Sequence, residues 1–175
     1  GFPLNINDKN TSLTFEVDST WHRIHGTTAS FAGDLRLNEA NDPTSVHGEI
    51  VLPVSKMDTD NSRRDTRMRE VMDEPHFQDI RFMLERAEIK CVLQSWVGAP
   101  PCPLRLFGRL TIRGVSRDWF LIGTLSIEEG RYVLKADGTL RWADFNIEDP
   151  SIIVARLDPE VHGVVKSSWA TASTE

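Results

Sequence analysis

Six glycines in this chain stand inside alternating apolar segments, each with apolar residues two positions before and after it. They are Gly33, Gly48, Gly108, Gly123, Gly138 and Gly163. Residues two apart in a strand point to the same face, so each glycine takes a place where the buried face normally carries a side chain. Glycine in a strand marks a bulge, a tight bend, or a close approach by a ligand or another backbone. The pattern predicts a strongly bent sheet that closes on itself, around either an open centre or a filled core.

Alternation of apolar residues runs through almost the whole chain and predicts about eight strands. They cover residues 13–17, 31–37 with a start as early as Trp21, 46–54, 82–89, 104–112, 119–127, 132–142 and 161–169. Short connections with turn residues, such as Asp42-Pro43 and Glu129-Gly130, favour an antiparallel up-and-down order. Because a closed barrel removes exposed strand edges, the predicted fold class is an all-β, eight-stranded antiparallel barrel.

The segment 57–75 lacks alternation and carries helix signals instead. Ser62 is predicted as the N-cap, apolar residues follow at helical spacing, and Pro75 ends the helix. Its charged residues are Arg63, Arg67 and Glu70 on the exposed face, with Arg64 and Asp65 near the first turn. Two interpretations stay open for the arginines, namely a solvated helix face or a basic lip that meets an anionic head group.

Length and composition predict a single domain over residues 1–175 that can bury a real core, with 39% hydrophobic and 26% charged residues. A net charge of −6 gives no general attraction for nucleic acid, so a nucleic-acid partner is not expected. The longest apolar stretches are only as long as strands, so no membrane span is expected either.

Two cysteines flank a turn at residues 98–101. If that turn alone forms the hairpin loop, Cys91 lies opposite Gly108, about 20 Å along the strands, and cannot bond to Cys102. If the loop is wider and centred near Trp96, the two cysteines face each other and a disulfide becomes reasonable. Both arrangements stay open at this point.

The chain contains no recognisable catalytic constellation. His22 and His25 are three residues apart in a predicted strand, hence on opposite faces, and cannot readily share a metal. A nucleophile elbow, a Cys-His pairing and a phosphate loop are all missing from the sequence. We therefore predict a protein that is not an enzyme, with no catalytic residue and no metal.

Four motifs occur in order along nearly the whole chain: Trp21 to Gly26; Met57-Asp58-Thr59 with Arg64-Asp65 and Met68; Leu106 to Arg117; and Arg141 with Asp144 to Ile147. Together they resemble the signature of the YceI-like family of lipocalin-like, polyisoprenoid-binding proteins. Three positions depart from that pattern. Arg113 stands in place of a histidine, Asp79 in place of a proline, and Asn146 in place of a glycine.

The resemblance implies an eight-stranded barrel with one helix beside it and an apolar pore that holds the tail of a polyprenyl or quinone-type lipid. It also implies a periplasmic or secreted location and pairing as a homodimer, while a cytoplasmic location stays open. No cofactor is expected apart from such a lipid. The predicted function is non-catalytic binding, transport or sequestration of an isoprenoid lipid. The alternative is a filled barrel that serves as a protein-interaction or stress-response module, with Trp96, Trp119 and Trp169 as an exposed patch.

The predicted tail pocket consists of apolar residues on the glycine-bearing strands and aromatic residues near one end. They are Phe31, Leu35, Ile50, Leu110, Ile112, Leu121, Leu125, Leu140, Trp142 and Phe145. A pyrophosphate head group calls for arginine near the mouth, whereas a quinone needs only a neutral donor such as His25. The predicted rim residues are His25, Arg64, Asp65, Arg113 and Arg141. Which end of the barrel forms the mouth stays open.

Overall fold

A computed structural model describes residues 2–39, 42–149 and 157–170. Within them lie ten strands: β1 (Phe2–Asn7), β2 (Thr11–Asp18), β3 (Arg23–Thr27), β4 (Ala32–Leu37), β5 (Val46–Pro53), β6 (Asp79–Ile89), β7 (Cys102–Ile112), β8 (Val115–Glu128), β9 (Arg131–Arg141) and β10 (Glu160–Ala170). The helix α1 (Ser62–Val71) lies between β5 and β6, and short 3-10 turns cover Pro43–Ser45, Val54–Lys56 and Trp142–Phe145. No helix among these residues is both long and apolar enough to cross a membrane.

The strands form one antiparallel sheet in the order β1-β4-β5-β6-β7-β8-β9-β10-β2-β3. Residues 8–10 alone separate β1 at one edge from β2 near the other, so the sheet must curl until these edges approach. Across this approach, the Trp169 Nε1 atom of β10 donates to the carbonyl oxygen of Asn5 in β1 (3.2 Å). The predicted antiparallel, lipocalin-like fold class is confirmed.

The strand count is ten rather than the predicted eight, for two local reasons. Strand β1 is short and contains a proline, so the alternation of Phe2, Leu4 and Ile6 gives only a weak signal. The predicted second strand divides into β3 and β4 because the chain turns between them, where Ser30 adopts a positive φ of 55°.

Five of the six in-phase glycines are sites of close approach, not gaps. A Cβ added to Gly108 would overlap the carbonyl oxygen of Met83, and one added to Gly123 would overlap that of Lys135. A Cβ added to Gly33, Gly48 or Gly138 would also lie within 3 Å of an atom of another residue. Only Gly163 has room for a side-chain carbon, since the nearest atom lies 3.8 Å from the added Cβ, an ordinary van der Waals contact. The other five glycines therefore allow neighbouring strands to approach closely where the sheet bends. The interpretation with a filled core predicted this role for the glycines. The centre of the sheet nevertheless holds a cavity.

The helix begins at Ser62, one residue earlier than the predicted cap implies. The side chain of Asn61, not Ser62, accepts a hydrogen bond from the Arg64 amide (3.0 Å), and Ser62 is the first helical residue. The segment before the helix is held to the far edge of the sheet, where the backbones of Asp58 and Thr27 exchange two hydrogen bonds (2.8 and 2.9 Å). This places α1 across one end of the curled sheet.

Cys91 and Cys102 form a disulfide, with their Cα atoms 5.6 Å apart. Ile89 pairs with Leu104, and the Lys90 amide donates to the carbonyl oxygen of Pro103 (3.0 Å). The next residues on the two strands therefore face each other. The wider of the two predicted loops is the correct one.

Removal of this disulfide is expected to destabilise the fold by about 2–3 kcal/mol, because the unfolded chain regains the freedom that the closed loop had removed. Cys91→Ala is the suitable variant, since Cys91 is exposed and Cys102 stays buried as a small apolar side chain. Urea unfolding of the wild type with and without reductant measures the effect, and the variant should not respond to reductant. Equal unfolding midpoints for all samples would contradict the prediction.

Candidate functional site: an apolar cavity with a basic mouth

A cavity of about 770 Å³ lies inside the curled sheet. Its volume is within the range of roughly 300–1,000 Å³ that is typical of small-molecule sites. The lining follows β6 from Ile80 to Ile89, nine residues further, which corresponds to ~30 Å of strand. The cavity is thus long as well as apolar.

Eight of the ten predicted tail-pocket residues line this cavity: Leu35, Ile50, Leu110, Ile112, Leu121, Leu125, Leu140 and Trp142. Phe31 and Phe145 do not line it, because they are packed into the surrounding core at 3% and 2% exposure. The alternation of the strands correctly indicated the inner face. That these eight residues contact a ligand stays a prediction.

The rings of Phe82 and Trp119 form part of the cavity wall, and the sequence analysis did not assign these two residues to the tail pocket. The ring of Trp119 lies over Gly138, 2.7 Å from the position of an added Cβ, and the ring of Phe82 lies over Gly108 (2.9 Å). The two rings meet edge to face with their centroids 5.6 Å apart. Each ring covers a glycine on another strand. Curved sheets use aromatic residues in this way, so aromatic residues on strands that neighbour a glycine-bearing strand are candidates for the wall. The alternative function placed Trp119 and Trp169 in an exposed patch, whereas both residues line the cavity.

The cavity reaches the surface beside α1. Three of its lining residues are exposed, namely His22 in the turn after β2, Asn61 at the helix cap and Arg63 in the first helical turn. Arg64 and Arg67 line the same region. At the opposite end the lining residues, such as Tyr132 and those near it, are buried or half-buried. The mouth therefore lies at the helix end of the barrel.

The mouth is held in shape by a buried hydrogen-bond group around Thr59. The Asp65 carboxylate accepts from the amide of Thr59 (3.0 Å) and from its hydroxyl group. Arg64 donates from Nε to the hydroxyl oxygen (2.9 Å) and from Nη2 to the carbonyl oxygen of the same residue (2.6 Å). Asp65 is buried in this role and does not line the cavity. Its position at the rim was predicted wrongly, because its side chain turns towards the loop that precedes the helix.

The arginines at the mouth are only weakly neutralised. Within the described part of the chain, Arg63 has no ion-pair partner. Arg67 approaches Glu70 (3.5 Å) and Glu148 (4.0 Å), which are exposed pairs of the kind that contribute little. No aspartate or glutamate among the described residues lines the cavity. Of the two interpretations of the helix arginines, the basic lip agrees with this arrangement.

Three other predicted rim residues lie away from the cavity. His25 points outwards next to the buried Ile24, and its Nδ1 atom lies 3.1 Å from Glu16. On the same outer face, a hydrogen bond to Asp18 raises the pKa of Arg23. Arg141 is exposed at the end of β9 and does not line the cavity.

Arg113 lies in the turn between β7 and β8, where its Nη1 atom donates to the carbonyl oxygen of Asn146 (2.7 Å). Asn146 has a left-handed φ of 55°, a conformation for which glycine is the usual residue and asparagine is tolerated. Two of the three departures from the YceI-like pattern thus contact each other. They join a turn of the sheet to the segment after β9 and do not line the mouth.

The YceI-like domain matches residues 4–165. The chain belongs to the YceI-like family. None of the curated proteins matches it significantly in sequence. Among solved structures, the YceI-like chain is similar to BcnA from Burkholderia cenocepacia, with a TM-score of 0.73, 11% identity, and coverage of 91% of this chain and 96% of that one.

Two further solved structures share the fold. A polyisoprenoid binding domain from Saccharophagus degradans, implicated in plant cell wall breakdown, has a TM-score of 0.68 at 11% identity, covering 92% of this YceI-like chain and 94% of its own. The YceI protein of Campylobacter jejuni has a TM-score of 0.64 at 14% identity, covering 86% and 85%. At these identities the likeness establishes the fold.

Proposed function

We propose that this YceI-like protein binds the long tail of an isoprenoid lipid in its cavity and acts by binding, not by catalysis. The observation that carries the proposal is the cavity itself, which is long, apolar over most of its length and open beside α1. A tail gains roughly 0.8 kcal/mol for each methylene-sized group it buries, so several isoprene units suffice for tight binding. The description of the Saccharophagus degradans domain as polyisoprenoid-binding supports the same ligand class.

The head group that fits the mouth best is anionic, as in a polyprenyl phosphate or pyrophosphate. Arg63, Arg64 and Arg67 lie at the mouth without an acidic residue in the cavity lining of the described chain. Arginine recognises phosphate through several parallel hydrogen bonds. A quinone requires only a neutral donor, and His25, predicted for that task, lies outside the cavity. His22 is the histidine at the mouth.

The cellular role proposed is transport or sequestration of this lipid in an oxidising compartment, such as the periplasm or the exterior of the cell. The Cys91–Cys102 disulfide supports this location, because disulfides persist where thiols are not kept reduced. The alternative function required a filled barrel. It loses its support, since a cavity occupies the centre and two of its three patch tryptophans line that cavity.

Native mass spectrometry with three added lipids of equal tail length tests the proposal: a polyprenyl phosphate, the corresponding polyprenol and an isoprenoid quinone. We expect the phosphate to bind at least tenfold more tightly than the polyprenol, since a charge-assisted contact contributes roughly 1.5–3 kcal/mol. The double change Arg63→Gln with Arg67→Gln should remove this preference and leave polyprenol binding unchanged.

The two parts of the proposal can fail separately. Protein that takes up none of the three lipids would exclude the tail site. Equal affinity for the phosphate and the polyprenol would keep the tail site and exclude the anionic head group.

A further inference from the structure

The loop between β6 and β7, closed by the Cys91–Cys102 disulfide and called here the disulfide loop (residues 91–102), exposes apolar side chains at the end of the barrel opposite the mouth. From Cys91 to Leu104 the sequence CVLQSWVGAPPCPL has no charged residue and no histidine, in a chain with 26% charged residues. Trp96 is 56% exposed, Val92 80% and Val97 101%. Isolated exposed apolar residues are ordinary, but a cluster on one projecting loop marks an interaction site.

The exposure belongs to an ordered loop. The disulfide fixes its two ends, and the Ala99 amide donates to the carbonyl oxygen of Trp96 (3.0 Å), which forms a turn at the tip. Leu93 is half-buried and packs against the hydrophobic core. One side of the loop is thus anchored to the barrel, while Trp96 and Val97 project from it. These three attachments reduce the conformational freedom that is lost when the tip is covered.

Cations surround the base of the loop. Lys90 and Arg105 bracket the uncharged segment. Just before Lys90, Arg86 forms a close ion pair with Glu88 (2.6 Å), the residue that pairs with Arg105 across the two strands. The hydrogen bond from Arg86, together with the charges of Arg86, Lys90 and Arg105, lowers the pKa of Glu88. Three cations therefore lie around one carboxylate, and this group of four side chains carries a net positive charge although the whole chain carries −6.

We propose that the disulfide loop docks this protein on the surface of a phospholipid bilayer, with Trp96 and Val97 at the interface and Lys90 and Arg105 facing lipid phosphates. Tryptophan is favoured at the boundary between water and lipid, and basic residues beside an apolar tip add attraction to anionic lipids. A protein partner would be expected to meet a polar rim with specific hydrogen bonds, whereas Gln94 and Ser95 are the polar side chains of this loop.

Docking uses the outside of the barrel and does not depend on a lipid in the cavity. Because the mouth lies at the other end of β6, the docked protein keeps the mouth turned away from the bilayer. The experiment can therefore use protein stripped of lipid and vesicles without any isoprenoid. Its outcome is independent of the lipid-uptake measurements.

Flotation with vesicles of phosphatidylcholine, alone or mixed with phosphatidylglycerol, measures the docking. The wild type is expected to bind the mixed vesicles more tightly. The double variant Trp96→Ala with Val97→Ser should weaken binding to both vesicle types by about tenfold or more. Lys90→Gln and Arg105→Gln should each weaken binding about fivefold on the mixed vesicles alone. Trp21→Ala is the matched control, because Trp21 is 73% exposed at the mouth end, and it should bind as the wild type does.

Three results would overturn the proposal. The wild type could fail to float with either vesicle, or the loop variants could float as well as the wild type does. The third is a concentration-dependent dimer, seen by analytical ultracentrifugation, that disappears in the Trp96 and Val97 double variant without vesicle binding by the wild type. That result would assign the loop to contact between two copies of the chain. Near-ultraviolet circular dichroism checks that each variant is folded.

Discussion

Gly123→Ala is expected to destabilise the protein by more than about 4 kcal/mol, the range reached only by severe local mechanisms. The added Cβ would overlap the carbonyl oxygen of Lys135, which belongs to the backbone of β9. Gly123 pairs with Ala136 in that strand, so relief of the overlap requires the two strands to separate. Urea unfolding followed by circular dichroism measures the loss.

The matched control is Gly163→Ala, the same change in another strand of the same sheet. No atom lies closer than 3.8 Å to the added Cβ, so the variant should be neutral or gain roughly 0.5–1 kcal/mol because alanine loses less conformational freedom than glycine. Similar stabilities for the two variants would refute the distinction between steric overlap at Gly123 and ordinary van der Waals contact at Gly163.

Gly163→Leu is expected to lower the affinity for a polyprenyl phosphate by about a hundredfold in a protein that still folds. Gly163 lies between Val161 and Val165, which line the cavity on the same face of β10. A leucine side chain there would exclude about four methylene-sized groups of the tail, a loss of roughly 3 kcal/mol. Native mass spectrometry with increasing lipid gives the affinity, and thermal unfolding checks the fold.

Lys166→Leu provides the control on the outer face of the same strand, where the side chain is exposed. It introduces the same side chain without entering the cavity and should bind lipid as the wild type does. Wild-type affinity in both variants would mean that the tail does not pass β10. Loss in both would point to a general defect of the strand.

Local patterning predicted most of the fold, because alternation depends only on neighbouring residues in one strand. Leu35, Leu110 and Leu121 were placed on the inner face by this pattern, and all three line the cavity. The meaning of the glycines could not be read in the same way. Whether Gly123 leaves a gap depends on how closely β9 approaches, which the curvature of the sheet decides.

The rim was harder to predict than the tail pocket because it is assembled from distant segments. Arg64 was found through its motif on the helix, whereas His22 was considered only as a metal ligand with His25 and was not assigned to the rim, although it lies at the mouth. Arg113 and Arg141 lie on strand ends and turns that have many possible neighbours. Only the folded chain shows that Arg113 bonds to Asn146 instead of facing the cavity.

Because the cavity has a finite depth, its affinity for a lipid should depend on the length of the lipid tail. The mouth opens at one end of β6, and about 30 Å further along the strand the lining is buried or half-buried. A tail that enters from the mouth gains affinity with each isoprene unit until its end reaches the far wall. Units beyond that point stay outside or force the tail to fold back. Affinity plotted against the number of isoprene units should therefore rise and then level off, so that the barrel discriminates between lipids by chain length as well as by head group.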